Sequence, residues 1–358
     1  MRVSIIIVTW NGRALLERCL PSVLATEFDG LEVVVADNAS TDDTVAWLAA
    51  THPEVRVIAH PENWLFARGN NEAIRQTALD TAPSDYVCLL NNDVEVPPDW
   101  LAPLVRVLDT MPDVAAVQPK LLQHGDRTRF EYAGASGGFL DAVGYPFTRG
   151  RLFDTLEPDT GQYDDARDVF WASGAALLLR RSALDPDAGG VGLLDEAFGM
   201  HMEEIDLCWR LWRAGWRVRV EPSAEVYHIG GASLPQGDPR KAYFNFRNSL
   251  LMLFKNLPPR AWLATFPCRL ALDTLAATRA LTAGRPREAA AIARAYLDAH
   301  QMRATYLDQR PASSPVTLPY RGSIALDYFL RKRQRFADLP AERFSRLPSP
   351  PPEETAAR

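Results

Sequence analysis

Cysteine is scarce in this chain: Cys19, Cys88, Cys208 and Cys268 are the only four in 358 residues. They are widely spaced, with no close pair of the kind that holds zinc, and Cys88 lies in an apolar run. That distribution argues against a disulfide framework and reads as reduced thiols of a cytosolic protein. Long hydrophobic runs are missing as well. The most apolar late segment, Trp262 to Ala277, is broken by Pro267, Arg269 and Asp273, so no stretch approaches the length of a membrane span. The N-terminus, Met1-Arg2-Val3-Ser4-Ile5, runs straight into a strand pattern and offers no signal peptide. Positive charge is in deficit, with 39 Lys and Arg against 45 Asp and Glu, a net charge of −6. A nucleic-acid protein needs a basic binding face, so that class is disfavoured. No G-x-G-x-x-G follows the first strand pattern, which weakens a dinucleotide-dehydrogenase reading.

What is present is a globular composition, 47% hydrophobic and 23% charged. The length suits one large domain, or one domain with an appendage. The charge is unevenly divided. From Lys255 to the end 17 Lys and Arg face 9 Asp and Glu, a surplus of +8, which leaves the remainder at −14. A basic C-terminal region on an acidic body fits contact with anionic lipid or an acidic partner, and equally fits ordinary solvated helix faces.

The first half alternates. Strand patterns at Val3–Val8, Leu31–Ala36, Val55–Ala59 and Tyr86–Leu90 are separated by helical spacing at Arg13–Ala25, Thr44–Ala50 and Phe66–Leu79, with Pro21 as an expected interruption. Strands alternating with helices imply right-handed crossovers and a largely parallel sheet, an α/β fold. The middle is less regular. Phe130–Gly150 reads as a loop or hairpin region, and Phe170–Leu179 as a buried strand entered through a tight Ser173-Gly174 position. Gly189-Gly190-Val191-Gly192 reads as a hinge, Glu203–Ala214 as an amphipathic helix and Trp216–Val220 as a short strand. From Arg240 on the pattern is helical, with helices at Met252–Leu257, Trp262–Leu281 and Ala289–Leu307. The expected organisation is a catalytic domain over residues 1–257, with halves at about 1–115 and 116–257. A helical region over 258–340 and a Pro-rich disordered tail over 341–358 follow.

Chemistry gathers at strand ends, where open α/β sheets present their ligand crevice. Asn91-Asn92-Asp93 follows the Tyr86–Leu90 run; it suits a hard divalent cation, or is a surface turn. Asp37, just past a strand end, reads either as a cap beside Ser40 and Thr41 or as a ligand-facing hydrogen-bond acceptor. Glu203, Glu204 and Asp206 are either a helix N-terminus favoured by its dipole or a source of general base. His228, before Gly230-Gly231, is either a metal neighbour or a hydrogen-bonded core histidine.

Taken together, these segments resemble the family 2 glycosyltransferases of the GT-A fold, especially bacterial rhamnosyltransferase-like members, over roughly Val3 to Leu257. Val3 to Asn11 is similar to the opening strand and nucleotide loop, and Val33 to Asp42 to the second strand with its base-binding aspartate. Asn63 to Asn71 is similar to the donor-binding segment and Asn91-Asn92-Asp93 to the metal motif. His201 to Arg210 is similar to the acceptor-side acidic motif, and Val226 to Ser233 to the late histidine motif. Leu65 stands where the family often has Gly, and Glu204 where many relatives carry Asp.

The resemblance implies a mixed, mainly parallel sheet with a C-terminal α-helical extension, and an inverting transfer from a pyrimidine nucleotide sugar. Mg²⁺ or Mn²⁺ would be held by Asp93, with His228 completing or neighbouring its shell and biasing it toward Mn²⁺. Thr9, Asn11, Asp37, Asn63, Arg68, Asn91 and Asn92 would meet the donor. Glu204 would be the base, with Glu203, Asp206, Ser173 and Gly174 on the acceptor side. The leading donor is dTDP-rhamnose, with UDP-hexoses next; the acceptor is a lipid-linked or cell-envelope glycan. The Gln-x-x-Arg-Trp motif of processive synthases is not present, so one sugar per encounter is expected. Two other readings remain: a nucleotidyltransferase, although Thr9-Trp10-Asn11-Gly12-Arg13 fits its basic Gly-rich loop poorly, and a non-catalytic carbohydrate-binding scaffold. The C-terminal helices, with Trp262, Phe266, Leu270 and the basic Arg331 to Arg335, would rest on the inner face of the cytoplasmic membrane, form a homodimer interface or cap the catalytic domain.

Overall fold

The computed structural model describes residues 1–230, 238–313 and 316–347. The four expected strand runs form as β1 (Val3–Thr9), β2 (Leu31–Asp37), β3 (Arg56–Ala59) and β4 (Tyr86–Asn91), and two strands without an expectation follow, the two-residue β5 (Val94–Glu95) and β6 (Val114–Gln123). Between them lie α1 (Arg13–Leu24), α2 (Thr44–Thr51), α3 (Leu65–Ala78) and α4 (Leu101–Thr110). β7 (Gly138–Leu140), β8 (Pro146–Thr148), β9 (Arg151–Leu152) and β10 (Thr155–Leu156) form a small antiparallel sheet from the Gly- and aromatic-rich stretch. β11 (Arg167–Asp168), β12 (Ala176–Arg180), α5 (Arg181–Leu184), α6 (Glu203–Arg213) and β13 (Arg217–His228) complete the main sheet and its cover. α7 (Pro239–Asn256), α8 (Pro259–Thr282) and α9 (Pro286–Met302) follow.

The main sheet runs β11-β13-β6-β12-β4-β1-β2-β3, with β5 on β13. β3, β2, β1 and β4 are parallel, β12 inserts antiparallel between β4 and β6, and β6 and β13 are parallel again. Both faces are covered, which is why the central strands read as continuous aliphatic runs. Ile5, Ile7, Val33, Val35, Cys88 and Leu90 enter one core layer, with Leu16 and Leu20 of α1 and Leu104 of α4. Ile6, Val34, Leu89 and Val87 enter the other, with Ala73 of α3 and Trp209 and Trp212 of α6.

Several elements depart from the sequence reading. α1 runs through Pro21 to Leu24, because a proline in the last turn removes few helical bonds. β13 has twelve residues and not five. Its irregular pairing between Glu221 and Glu225 absorbs Pro222 as a bulge, which is where a sheet tolerates proline. β12 begins only at Ala176, with a turn at 174–175 before it. Among the described residues beyond α9 the named elements are short 3₁₀ and π turns, which form a strap in place of the expected α-helix. Residues 341–347, expected to open the tail, pack instead: the Phe344 ring lies 4.9 Å from Tyr320 and 5.3 Å from Phe336. The rest of that expected tail, 348–358, and Gly231, Ala232 and Ser233 of the histidine motif, lie outside the described residues.

Candidate active site

The parallel strands end at one edge of the sheet. Register pairs Thr9 with Asp37 and Val8 with Asn91, so the first, second and fourth strand ends meet side by side. Asp37 is 2% exposed. Its Oδ2 accepts from the Ser40 amide at 2.9 Å, while Oδ1 is buried without a partner. The cap uses one oxygen and leaves the other wanting a donor. Thr9 Oγ1 accepts from Asn92 Nδ2 at 2.9 Å. Gly12 packs on that pair so closely that a Cβ there would fall 2.0 Å from Thr9 Oγ1 and 2.7 Å from Asn92 Nδ2. Asn11 is a brace between loops: its Oδ1 accepts from the Thr41 amide at 2.7 Å and the Asp42 amide at 3.3 Å.

Leu65 opens α3 at φ 58°, a left-handed conformation that explains why glycine is at home in that position. Asn63 Oδ1 accepts from the Leu65 amide at 3.0 Å, and Asn38 donates to the Leu65 carbonyl at 2.9 Å. Arg68 is exposed at the rim. Its guanidinium lies 4.1 Å from the Trp64 ring centroid and 3.8 and 3.9 Å from the carboxylates of Glu62 and Glu196.

At the metal motif, Asp93 and His228 are 4% and 6% exposed, with Asp93 Oδ1 3.0 Å from His228 Nε2. Asn91 Nδ2 is 3.3 Å from the same nitrogen. A third residue, Glu131, had no signal in the sequence: it is 4% exposed and places Oε1 3.2 Å from His228 Nδ1, within ion-pair reach but without hydrogen-bond alignment. Burial alone would lower the imidazole pKa, but the charge of Glu131 and the bond to Asp93 raise it to about 10. Two buried carboxylates thus call for positive charge between them. Among the described residues no group of three or more His, Cys, Asp or Glu side chains forms a metal cage. The donor set fits an ion that takes one or two protein ligands, Asp93 Oδ1 and His228 Nε2, and completes its shell with water and phosphate oxygens.

At the acidic motif, His201 and Met202 are both left-handed, at φ 68° and 74°. The side-chain amide of Asn248 clamps this turn, donating to the carbonyls of Phe198, Met200 and His201 at 3.0, 2.8 and 2.7 Å. Glu203 and Glu204 follow at the start of α6. Glu204 Oε2 is unpartnered, and burial raises its pKa to about 7. Glu203, 3% exposed, is pushed well above its ordinary value by burial and then by the charge of Glu204. Gly174 borders the Glu204 side chain: a Cβ there would lie 3.2 Å from the Phe66 ring and 3.7 Å from Glu204 Cβ. Ser173 is turned inward, 2% exposed, with its amide donating to Gln118 Oε1 at 2.8 Å and its hydroxyl accepting from Ala175 at 3.3 Å. It shapes the turn that leaves Gly174 facing Glu204.

Asp206 corrects the sequence reading. It is fully buried, and its oxygens accept from Lys255 at 2.8 Å, Arg210 at 2.8 Å and Asn256 at 2.8 Å. No face is left for an acceptor sugar. Burial opposes its charge, but Lys255 and Arg210 prevail and hold its pKa below the ordinary carboxylate value. Asp206 bolts α6 to α7 and fixes where Glu204 points.

One loop joins the two ends of the site. Glu131 touches His228, Gly134 packs against the Ser173 side chain, and Gly174 borders Glu204. Left-handed non-glycine residues also concentrate here: Asn11, Ala39, Leu65, His201 and Met202. Backbone strain of this kind persists where surrounding contacts enforce it, typically at active sites.

Residues 4–184 match the family model described as Glycosyl transferase family 2. N-acetylglucosaminyl-diphospho-decaprenol L-rhamnosyltransferase of Mycobacterium tuberculosis is 33% identical over 243 residues, which is 63% of this chain and 75% of the relative. The pre-mycofactocin glycosyltransferase of the same species is 30% identical over 250 residues, 68% of this chain and 46% of the relative. Among solved structures, GalNAc-T7 with UDP, GalNAc and Mn²⁺ aligns with a TM-score of 0.54 at 16% identity, covering 71% of this chain and 47% of that one.

Proposed function

Since the chain belongs to glycosyl transferase family 2, and so is a glycosyltransferase of the GT-A fold, we propose that it transfers rhamnose, with inversion, from a pyrimidine nucleotide sugar to a lipid-linked envelope glycan. The 33% identity to a decaprenol-linked L-rhamnosyltransferase supports the sugar and the acceptor. The buried free Oδ1 of Asp37 supports a pyrimidine, whose N3–H would satisfy it. The observation that carries the mechanism is Glu204 at the start of α6, whose Oε2 is buried without a partner and whose pKa burial raises to about 7. With a pKa near neutrality it can take the acceptor hydroxyl's proton as that oxygen attacks the anomeric carbon. A Mg²⁺ or Mn²⁺ ion on Asp93 and His228 would offset the charge gathering on the diphosphate leaving group. Thr9, Asn92 and Gly12 keep the loop backbone close beside that diphosphate, and Arg68 guards the rim.

A thermal-shift screen of nucleotide sugars with Mn²⁺ tests this directly. dTDP- or UDP-sugars are expected to raise the melting temperature, and chelator to abolish the gain. Stabilisation by purine nucleotide sugars alone, or unchanged in chelator, overturns the donor and metal assignments.

The C-terminal region supports residence on an anionic membrane surface. Among the described residues no helix is long and apolar enough to cross a membrane. α8 is nevertheless inverted: Leu263, Leu270, Leu275 and Leu281 are 70%, 43%, 65% and 56% exposed, whereas Arg269 and Asp273 are 2% and 1% exposed and pair internally at 2.8 Å. Arg279 of the same helix stacks 5.0 Å from the ring centroid of Phe329, beside exposed Leu330 and Lys332. Leucines flanked by exposed cations are what an interfacial helix presents to acidic lipid.

A further inference from the structure

We infer that Tyr132, Arg151 and Lys241 form an anion site on the acceptor side of the crevice, suited to the diphosphate of a prenyl-linked acceptor. This rests on the acceptor half of the reading above.

Among the described residues four other buried cations meet a carboxylate, and the buried Arg247 spends its guanidinium on Asn248 and the carbonyls of Ala197 and Phe198. Lys120 meets Asp159, Lys255 meets Asp195, Arg269 meets Asp273 and Arg149 meets Asp165. Arg151 is 8% exposed, yet it makes no ion pair among the described residues, and its Nε is buried without a hydrogen-bond partner. Its guanidinium lies 4.1 Å from the Tyr132 ring centroid, with one bond, Nη1 to the Phe153 carbonyl at 3.3 Å. Lys241, in the first turn of α7, also lacks a carboxylate partner among the described residues and holds Nζ 5.0 Å from the same centroid. Two cations gathered on one aromatic ring repel each other, and no carboxylate among the described residues pairs with either. Such an arrangement is completed by an anion that both can reach.

Its position fits the reaction. Tyr132 adjoins Glu131, which touches His228 at the metal end. Lys241 is close enough to His201 for its charge to reinforce the burial that lowers that imidazole to about 4, and His201 is three residues from Glu204. The cluster is thus linked to both ends of the crevice and is built of residues other than Asp93 and His228, which would hold the donor diphosphate's ion. The guanidinium fork and the ammonium point charge match phosphate oxygens. Tyr132, 39% exposed, leaves apolar surface beside the two cations for the first isoprene unit.

The test is calorimetric titration of geranyl diphosphate, with dTDP and Mn²⁺ saturating so that the donor site is filled. The wild-type protein is expected to bind; Lys241→Gln is expected to raise Kd at least tenfold, and Lys241→Gln/Arg151→Gln to abolish binding. Lys241 is only partly buried, so the single variant carries the test if the double one fails to fold. Uncharged geraniol is the control against adsorption on α8. An unchanged Kd in Lys241→Gln, or geraniol binding as tightly as the diphosphate, overturns the site. Should dTDP itself fail to bind, the donor reading falls, and the same titration without nucleotide still decides the anion site.

Discussion

Burial destabilises a carboxylate in its charged form, and at Glu204, whose Oε2 is buried without a partner, this outweighs the backbone amides nearby and moves the pKa from 4.5 to about 7. Because the folded-state value is raised, ionisation costs stability progressively as pH climbs from 4.5 through about 7. Glu204→Gln is therefore expected to melt higher than wild type at pH 8 and at the same temperature at pH 4, in paired thermal scans. The same variant should lower kcat by roughly 10²- to 10⁴-fold while keeping donor affinity, the range expected for loss of a general base; retained turnover would remove Glu204 from that role. Wild-type kcat/KM should rise with pH and level off above about 7. Gly12 makes a second prediction of the same kind. A Cβ 2.0 Å from Thr9 Oγ1 must displace a buried threonine, so Gly12→Ala is expected to cost about 1–3 kcal/mol of stability and to weaken nucleotide binding; wild-type values for both would show that the loop yields. The sequence motifs pointed to Asp37, Asp93, His228 and Glu204, because each sits at a strand end or cap with a recognisable neighbourhood. Glu131, Arg151 and Lys241 carried no such mark. Their meaning lies in partners distant in the chain, and an unpaired buried arginine looks like any other until its surroundings are known.

At the scale of elements, the bolt between α6 and α7 decides where the base stands. Asp206 is fully buried with Lys255, itself 3% exposed. Removing one partner of a buried pair leaves an uncompensated charge, and Lys255→Met is expected to destabilise by about 3–5 kcal/mol, read by denaturant unfolding. Adding Asp206→Asn should recover part of that loss; no recovery would mean that Lys255 acts through something other than Asp206. The strand and helix order of the first 91 residues was legible because aliphatic runs and helical spacing alternate cleanly there. The errors have one physical source. Pro21, expected to interrupt its helix, fits the last turn of α1, and the strand expected over Trp216–Val220 continues to His228 because a bulge in β13 takes up Pro222, once neighbouring elements supply the packing. Likewise Asp206 looked like one of three equivalent acidic residues at a helix start, and only its internal cations set it apart.

For the whole molecule, the C-terminal third does two jobs from one segment. α7 supplies Lys255, Asn256 and Asn248 to the site, while α8 and the strap from Leu326 to Lys332 turn leucines and the exposed cations Arg279 and Lys332 outward. Binding to vesicles containing phosphatidylglycerol is expected, with little binding to pure phosphatidylcholine, in a sedimentation assay. Leu270→Glu/Leu275→Glu should cut the bound fraction at least fivefold; equal binding of variant and wild type would detach α8 from lipid. The inversion of α8 also bears on handling. In plain buffer its leucine strip has nowhere dry to go except another copy of itself. Hydrodynamic radius would then grow with concentration and fall back when a mild amphiphile is added, so a subunit number measured without one would report the strip's thirst for cover, not the enzyme's working unit.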